Sequence, residues 1–504
     1  MNEQNNALPR EGLILCVQRP EVTRRDRLFQ GLSFCYCFLL TDALCWPWGM
    51  GNTVTVFLWL LLLASFVGPG ELFLRRESRV LFVVNLALAL SFALTSNAFF
   101  RCWNFLALAA LLPLHALSVC GTLPWWKPAM LWERFLMLME GLFGNLWVPF
   151  VRPKPSKENA PPRRTLAIVL GTCGAVALVS VLLPILLSAD ALFAAAADQL
   201  RFLAFFNLSD VFWRSVLALI MTPFFFGFLF SLRHPKPFQT RPAEVRLDGL
   251  IFSLMLAALD VLYLLFLAVQ SAGLFGGPDY LARHGLSYAE WARSGFFQMV
   301  GVTTVNLSVI LAAAVFSRRE GRTWKGLRLL SAALAVESLV LLASAAWRMS
   351  LYVSAYGLSF KRCMTYWGMV MMALFFLAAL WKIRKPDFSF CRAAFPLALA
   401  GWLVINCVPI DWLVARNQVD RFLASEARGG TPSISISYLL YDLSYDTLPQ
   451  LARLDSRLTF HDASSGKEVP LSELLERRRA AARQECADWR SWTLSACIVS
   501  GSAA

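Results

Sequence analysis

Along most of this chain, apolar runs of about 17–25 residues alternate with short polar turns, the length needed to cross about 30 Å of hydrocarbon at about 1.5 Å per helical residue. The pattern predicts four spans at roughly 29–46, 53–69, 79–95 and 102–119. Seven more are expected at roughly 165–188, 211–232, 250–273, 296–316, 326–347, 362–382 and 392–410. The fold class expected is therefore all-α, a polytopic transmembrane bundle of about 11 spans. Five segments follow: a basic arm (1–28), a front group of four spans (29–119), a connecting stretch (120–164), a back group of seven spans (165–410) and a tail (411–504).

The connecting stretch departs from the span pattern. Lys127, Glu133, Arg134, Glu140 and Asn145 fall on one arc of a helical wheel, with Trp125, Trp126, Trp132 and Trp147 at its borders. That predicts an interfacial amphipathic helix lying in the head-group plane. Pro153, Pro155, Pro161 and Pro162 then predict an extended basic linker. Asp190 to Asn207 reads as a short surface helix, and Tyr356-Gly357 followed by Ser359 as a helix stop and restart. In the tail, Leu471 to Arg490 reads as a charged helix, so the tail is expected to be a small helical appendage.

Composition agrees with a membrane protein: 57% of residues are hydrophobic, 16% are charged and the mean hydropathy is +0.55. Charge adds orientation. About 28 Lys and Arg fall in the arm and in alternate turns (75–79, 127–164, 233–246, 318–328, 382–392), against about eight in the intervening ones. The positive-inside rule then puts the N-terminus in the cytoplasm and the tail outside it. The net charge of +14 is spread over turns beside spans, which fits anionic lipid head groups and not nucleic acid. Met1 to Arg27 is polar and leads into a run ending in Asp42 and Trp46, so no cleavable leader is read there.

The chemistry-bearing residues are few. Asp260, Asn306 and Glu337 each lie about ten to twelve residues into adjacent spans, near the bilayer midplane, where a carboxyl costs several kcal/mol unless it finds a partner or water. Two readings stay open: a polar clasp fixing helix packing, or a site for a proton or small solute. Secondary candidates are Gln270, His115, Glu290, Arg293, Tyr356 and Arg362; Ser287 and Glu290 also have the spacing of a capping box. The four histidines show no ligand spacing, so neither a metal nor another cofactor is expected. Phosphate-binding Gly loops, nucleophile elbows and zinc-protease pairs are missing, and no motif assigns an enzyme. Cys486 and Cys497 are the tail's two cysteines and could pair in an oxidising compartment.

Three ordered segments carry a family likeness: Asp260 to Gln270, Ser287 to Phe297, and Tyr352 to Ser359 with Arg362. With Asp411 to Asp420 after the last span, the chain resembles bacterial membrane proteins of the domain-of-unknown-function families forty-one seventy-three and forty-one fifty-three, over roughly 165–425. The resemblance implies a multi-spanning protein of the bacterial inner membrane and no activity. Three functions remain in view: small-solute binding or proton-linked transport, an envelope assembly or signalling scaffold meeting a protein partner through its tail, and a lipid-modifying enzyme.

Overall fold

The computed structural model describes residues 21–44, 48–127, 129–151, 208–235, 247–275, 296–317, 321–429, 434–461 and 466–501, with single positions between 171 and 182. The Pro-rich linker, most of the expected span 165–188 and the 190–207 segment lie outside the described residues.

Helices form where the apolar runs are and stop where Gly, Pro or charge interrupts them. They are α1 (Arg24–Ala43), α2 (Met50–Val67), α3 (Pro69–Leu74), α4 (Arg76–Leu94), α5 (Ala98–Ser118) and α6 (Ala129–Met139). Past α6 come a π-helical turn at Glu140–Gly144, then α7 (Leu208–Arg233), α8 (Gly249–Phe275), α9 (Phe296–Phe316) and α10 (Gly321–Tyr356). The membrane-length series closes with α11 (Phe360–Arg384) and α12 (Phe390–Cys407). Among the described residues, eight helices are long and apolar enough to cross a membrane: α2, α4, α5, α7, α8, α10, α11 and α12.

The chain divides into two units. The first holds residues 1–41 and 139–236. Within it Tyr36 of α1 stacks on Phe225 of α7 with ring centroids 4.9 Å apart, and Asn145 donates to the Gly227 carbonyl at 3.3 Å. Asp26, buried in the first turn of α1, accepts from Thr23 and pairs with Arg233 at 3.2 Å.

The second unit, residues 42–138 and 237–504, holds the other membrane-length helices and the tail. One part is α2, α4 and α5, where Thr53 of α2 donates to the Ala89 carbonyl at 2.7 Å. Another is the bundle of α8, α9, α10 and α11, with α10 at its centre packing against all three others. Its buried residues repeat along α10 at Leu327, Ser331, Leu334, Ser338, Leu341, Ala345 and Arg348, spacings of three and four that keep one stripe inward. At 36 residues, α10 is about 54 Å long, so it projects beyond the hydrocarbon.

Two expectations need correction. The polar arc of the 127–150 stretch is not uniformly solvated: Lys127 is exposed and Glu140 half-buried, but Glu133, Arg134 and Asn145 are buried, while Leu131, Trp132 and Phe135 are exposed. The reason is local bonding. After α5, the backbone N–H groups of Thr122 and Leu123 lack helical partners, and the Glu133 carboxylate accepts from each at 3.1 Å, while Arg134 donates to the Leu123 carbonyl at 3.3 Å. The tail, secondly, is not wholly helical. After α13 (Ile410–Glu426) and the short α14 (Leu448–Leu451), strands β1 (Thr459–His461) and β2 (Glu468–Pro470) form an antiparallel hairpin with Phe460 opposite Val469. Helices α15 (Leu471–Ala487) and α16 (Leu494–Gly501) follow.

The tail shares one apolar core with the bundle, running from Phe100 and Ile405 through Val414, Val419, Leu439 and Leu451 to Leu471 and Val499. Polar contacts fix its position against the α4–α5 turn and the start of α2. Asn97 donates to Asp411 at 2.7 Å, Arg101 pairs with Glu485 at 3.4 Å, and Arg490 pairs with Asp42 at 3.2 Å. The backbone N–H groups of Met50 and Gly51 donate to the carbonyls of Trp492 and Arg490. Gly49 is required there, because a Cβ would lie 2.6 Å from the Ser491 backbone.

Candidate functional site

Three helices of the second unit bring polar side chains to one level. Asp260 is the twelfth of 27 residues in α8, Asn306 the eleventh of 21 in α9, and Glu337 the seventeenth of 36 in α10, so each sits near the middle of its helix. Their burial follows from helical spacing. On α8, otherwise largely uncovered by protein, Phe252, Leu256 and Asp260 recur every fourth residue and form the inward stripe. Along α9, Thr303, Asn306, Ile310 and Ala313 form the same kind of stripe.

Asp260 is 6% exposed, Glu337 7% and Asn306 0%. Asn306 donates from Nδ2 to Ser338 Oγ at 2.9 Å, and that hydroxyl donates to the Leu334 carbonyl at 2.7 Å. The remaining polar atoms are left over: both carboxylate oxygens of Asp260, Oε2 of Glu337 and Oδ1 of Asn306 have no hydrogen-bond partner among the described residues. The two carboxyls are near enough for their charges to interact, and the Tyr263 hydroxyl approaches Asn306 and Glu337. Two apolar clusters bracket this layer. One contains Leu256, Ile310, Leu334 and Phe376; the other contains Leu342, Ala345, Met349 and Met369.

Chemically, unsatisfied buried oxygens are acceptor sites. They can take a proton, a small cation or a solute's N–H or O–H groups, and leaving them empty costs about 1–3 kcal/mol each. Tyr263 and Ser338 were not singled out in sequence. The signal for Tyr263 is its place three residues after Asp260, on the same helical face.

The secondary candidates do not join this layer. His115 is buried on α5 with Nε2 3.1 Å from Ser78 Oγ, and Phe82 meets its ring edge-on. Tyr356 ends α10 and is exposed. Arg362 lies over the Tyr352 ring at 4.2 Å and donates to the Tyr356 and Gly357 carbonyls. Gly357 takes φ +77°, and Ser359 caps α11 by accepting from the Arg362 N–H. The side chains of Gln270, Glu290 and Arg293 lie outside the described residues. Cys486 on α15 and Cys497 on α16 are unbonded in the structure; their side chains are close enough to interact electrostatically, and burial pushes the Cys486 thiol up. Among the described residues no His, Cys, Asp and Glu group is arranged to hold a metal.

Two segments that carry the family likeness meet in space. The carbonyls at the end of α10 would be orphaned at a helix terminus. Arg421 donates to those of Ser354 and Ala355 at 2.9 and 2.7 Å, and Gln418 donates to that of Leu358 at 2.6 Å. Asn417 Oδ1 accepts from the Leu358 N–H at 2.7 Å. Polar residues of α13 thus close the α10–α11 turn, which gives that motif a structural role.

A family model described as "Domain of unknown function (DUF4153)" matches residues 82–454. The match takes in most of α4, α5 and the first part of the tail, beyond the 165–425 read from sequence. No curated protein and no solved structure matches the chain. This chain belongs to the DUF4153 family and is a multi-span membrane protein.

Proposed function

We propose that this member of the DUF4153 family binds a small solute, or moves it in step with protons, at the layer formed by Asp260, Asn306 and Glu337. One observation carries the reading: near the middle of three packed helices, buried side-chain oxygens stand without partners among the described residues. A purely structural clasp would bond those atoms to one another, since an unmade bond in hydrocarbon is costly. Here, among the described residues, Asn306 bonds Ser338 and meets Tyr263, while both Asp260 oxygens and Glu337 Oε2 are left without a bond.

The topology that goes with this reading has eleven spans in a bacterial inner membrane. To the eight helices above it adds α1, α9 and the apolar run at 165–188. The N-terminus is cytoplasmic and the tail extracytoplasmic. Supporting this, the tail packs on the Lys- and Arg-poor turns before α2 and α5, away from the Arg75–Arg76 end of α4. A second reading, a scaffold that meets an envelope protein through the tail, is favoured by the exposure there of Trp489, Leu494 and Ile498.

The test compares wild type with Asp260→Asn and Glu337→Gln in proteoliposomes under an imposed pH gradient, with proton entry followed by a trapped pH-sensitive dye. Wild type should carry a proton flux that each variant lowers at least tenfold, with melting temperatures held within a few degrees. Equal fluxes in all three proteins would remove the proton-linked reading. Retained flux in the variants together with lost binding of an envelope partner on tail truncation would favour the scaffold.

A further inference from the structure

A cavity lies in the same unit as the Asp260–Asn306–Glu337 layer but is built from different helices. Its volume is about 600 Å³, within the usual range for a ligand site. The first turns of α4 and α12, the last turn of α5, the Trp125–Trp126 turn and α6 surround it. On α12 the lining residues Arg392, Phe395, Pro396 and Leu399 fall at i, i+3, i+4 and i+7, and on α4 Arg76 and Val80 stand one turn apart. Each wall is therefore cationic at the helix start and apolar further along.

Charge in the lining is one-sided: Arg75, Arg76, Arg134 and Arg392 against Glu77. Two of these arginines are engaged. Arg75 donates to the Ser118 and Gly121 carbonyls at 3.0 and 2.6 Å, and Arg134 lies 3.6 Å from Glu133. The other two are available. Arg76 and Arg392 are exposed, and neither side chain makes a hydrogen bond or ion pair among the described residues; Arg392 lies over Trp126, 5.3 Å from its ring centroid. Ser389 donates to the Trp126 carbonyl at 2.7 Å, which ties the two rims together. The tryptophans mark the depth of a membrane interface. Along α12 only Ile405 is buried and Arg392, Pro396, Ala398, Ala400 and Val404 are exposed, so one side of this wall is open to the surroundings of the bundle.

We infer that this cavity binds an anionic phospholipid from the bilayer, its phosphate against Arg76 and Arg392 and its glycerol and upper acyl chain along Val80, Leu114 and Leu399. Free phosphate would fill the cationic half alone and leave the apolar half against water. A zwitterionic lipid would bring its own cation toward four arginines. A phospholipid of net negative charge satisfies both halves, with charge-assisted bonds at the head and apolar contact at the tail.

The test uses the full-length protein in detergent, with bound lipid counted by native mass spectrometry after titration with phosphatidylglycerol, phosphatidylcholine or inorganic phosphate. Wild type should retain phosphatidylglycerol over phosphatidylcholine. Replacing both arginines (Arg76→Ala with Arg392→Ala) should weaken phosphatidylglycerol about 25-fold, roughly fivefold for each charge. The paired Lys substitutions should restore most of it, and Arg79→Ala, on the same helix outside the lining, should change it less than twofold. Equal retention of the two lipids, or an unchanged affinity in the double Ala variant, would overturn the proposal. Displacement of phosphatidylglycerol by millimolar phosphate would overturn the lipid assignment and transfer the site to a soluble anion.

Discussion

Replacing Asn97 by Ala should loosen the tail from the bundle, and its size can be worked out from two bonds. Asn97 Oδ1 accepts from the Phe100 N–H at 3.1 Å and caps α5, while its Nδ2 donates to Asp411 Oδ2 at 2.7 Å. Losing such a cap costs about 1 kcal/mol. A hydrogen bond to a charged group is worth about 1.5–3 kcal/mol. Asp411 is 3% exposed, and the other donors to its carboxyl come from Ser444, whose N–H lies at 3.0 Å, so water has little access to replace the loss. The expected cost is about 2.5–4 kcal/mol, or about 10²- to 10³-fold at about 1.4 kcal/mol per decade. Backbone hydrogen exchange over residues 436–451, where Ser444 and the tail core lie, reads that opening directly. Asn97→Ser keeps a capping oxygen and should fall between the two. If exchange in the Ala variant rose less than threefold, or if Ser and Ala behaved alike, the docking role of the Asn97–Asp411 bond would be wrong.

Two further outcomes follow from the same region. Burial raises the Asp411 carboxyl above its ordinary range, against the bonds from Ser444 and Asn97 that favour its charged form. An acid with a raised native value binds its proton more tightly when folded, so its contribution is full below the unfolded value of about 3.9 and is lost as pH rises through the native one. Melting temperature should fall over that window in wild type and stay flat in Asp411→Asn; a flat wild-type profile would contradict it. Gly357→Ala should cost about 1–2 kcal/mol from the left-handed backbone alone. Its Cβ would also lie 2.8 Å from Gln418 Nε2 and 3.0 Å from Arg421 Cδ, two groups that close the turn. Faster proteolysis at the α10–α11 turn and a lower melting temperature are expected; a wild-type profile would show that the turn is not held from α13.

Much of this protein can be read from local pattern. Apolar runs of sufficient length become helices because the backbone must bond internally in lipid, so 296–316 is a helix at those residues, with Asn306 at its centre. The stop at Tyr356, the left-handed Gly357 and the Ser359 cap are likewise local, since each depends on bonds within a few residues. Place along a span is also a local quantity, so the mid-span positions of Asp260, Asn306 and Glu337 are legible in the sequence.

Direction and partnership are not local. Hydropathy placed Glu133 and Arg134 on one arc but could not say which side of that arc met water, because that depends on the unpaired N–H groups of Thr122 and Leu123. Nothing in sequence joins Arg101 to Glu485, Asn97 to Asp411, or Gly49 to the Ser491 backbone; those contacts exist only once the tail packs against α5 and α2. The arginine-lined cavity likewise gathers the starts of α4 and α12, which share no local signal. Periodicity and hydropathy determine which residues are helical and how deep they lie, since those depend on neighbours in the chain. Which faces meet is decided by the packing of whole helices, where contributions from residues hundreds of positions apart are balanced at once.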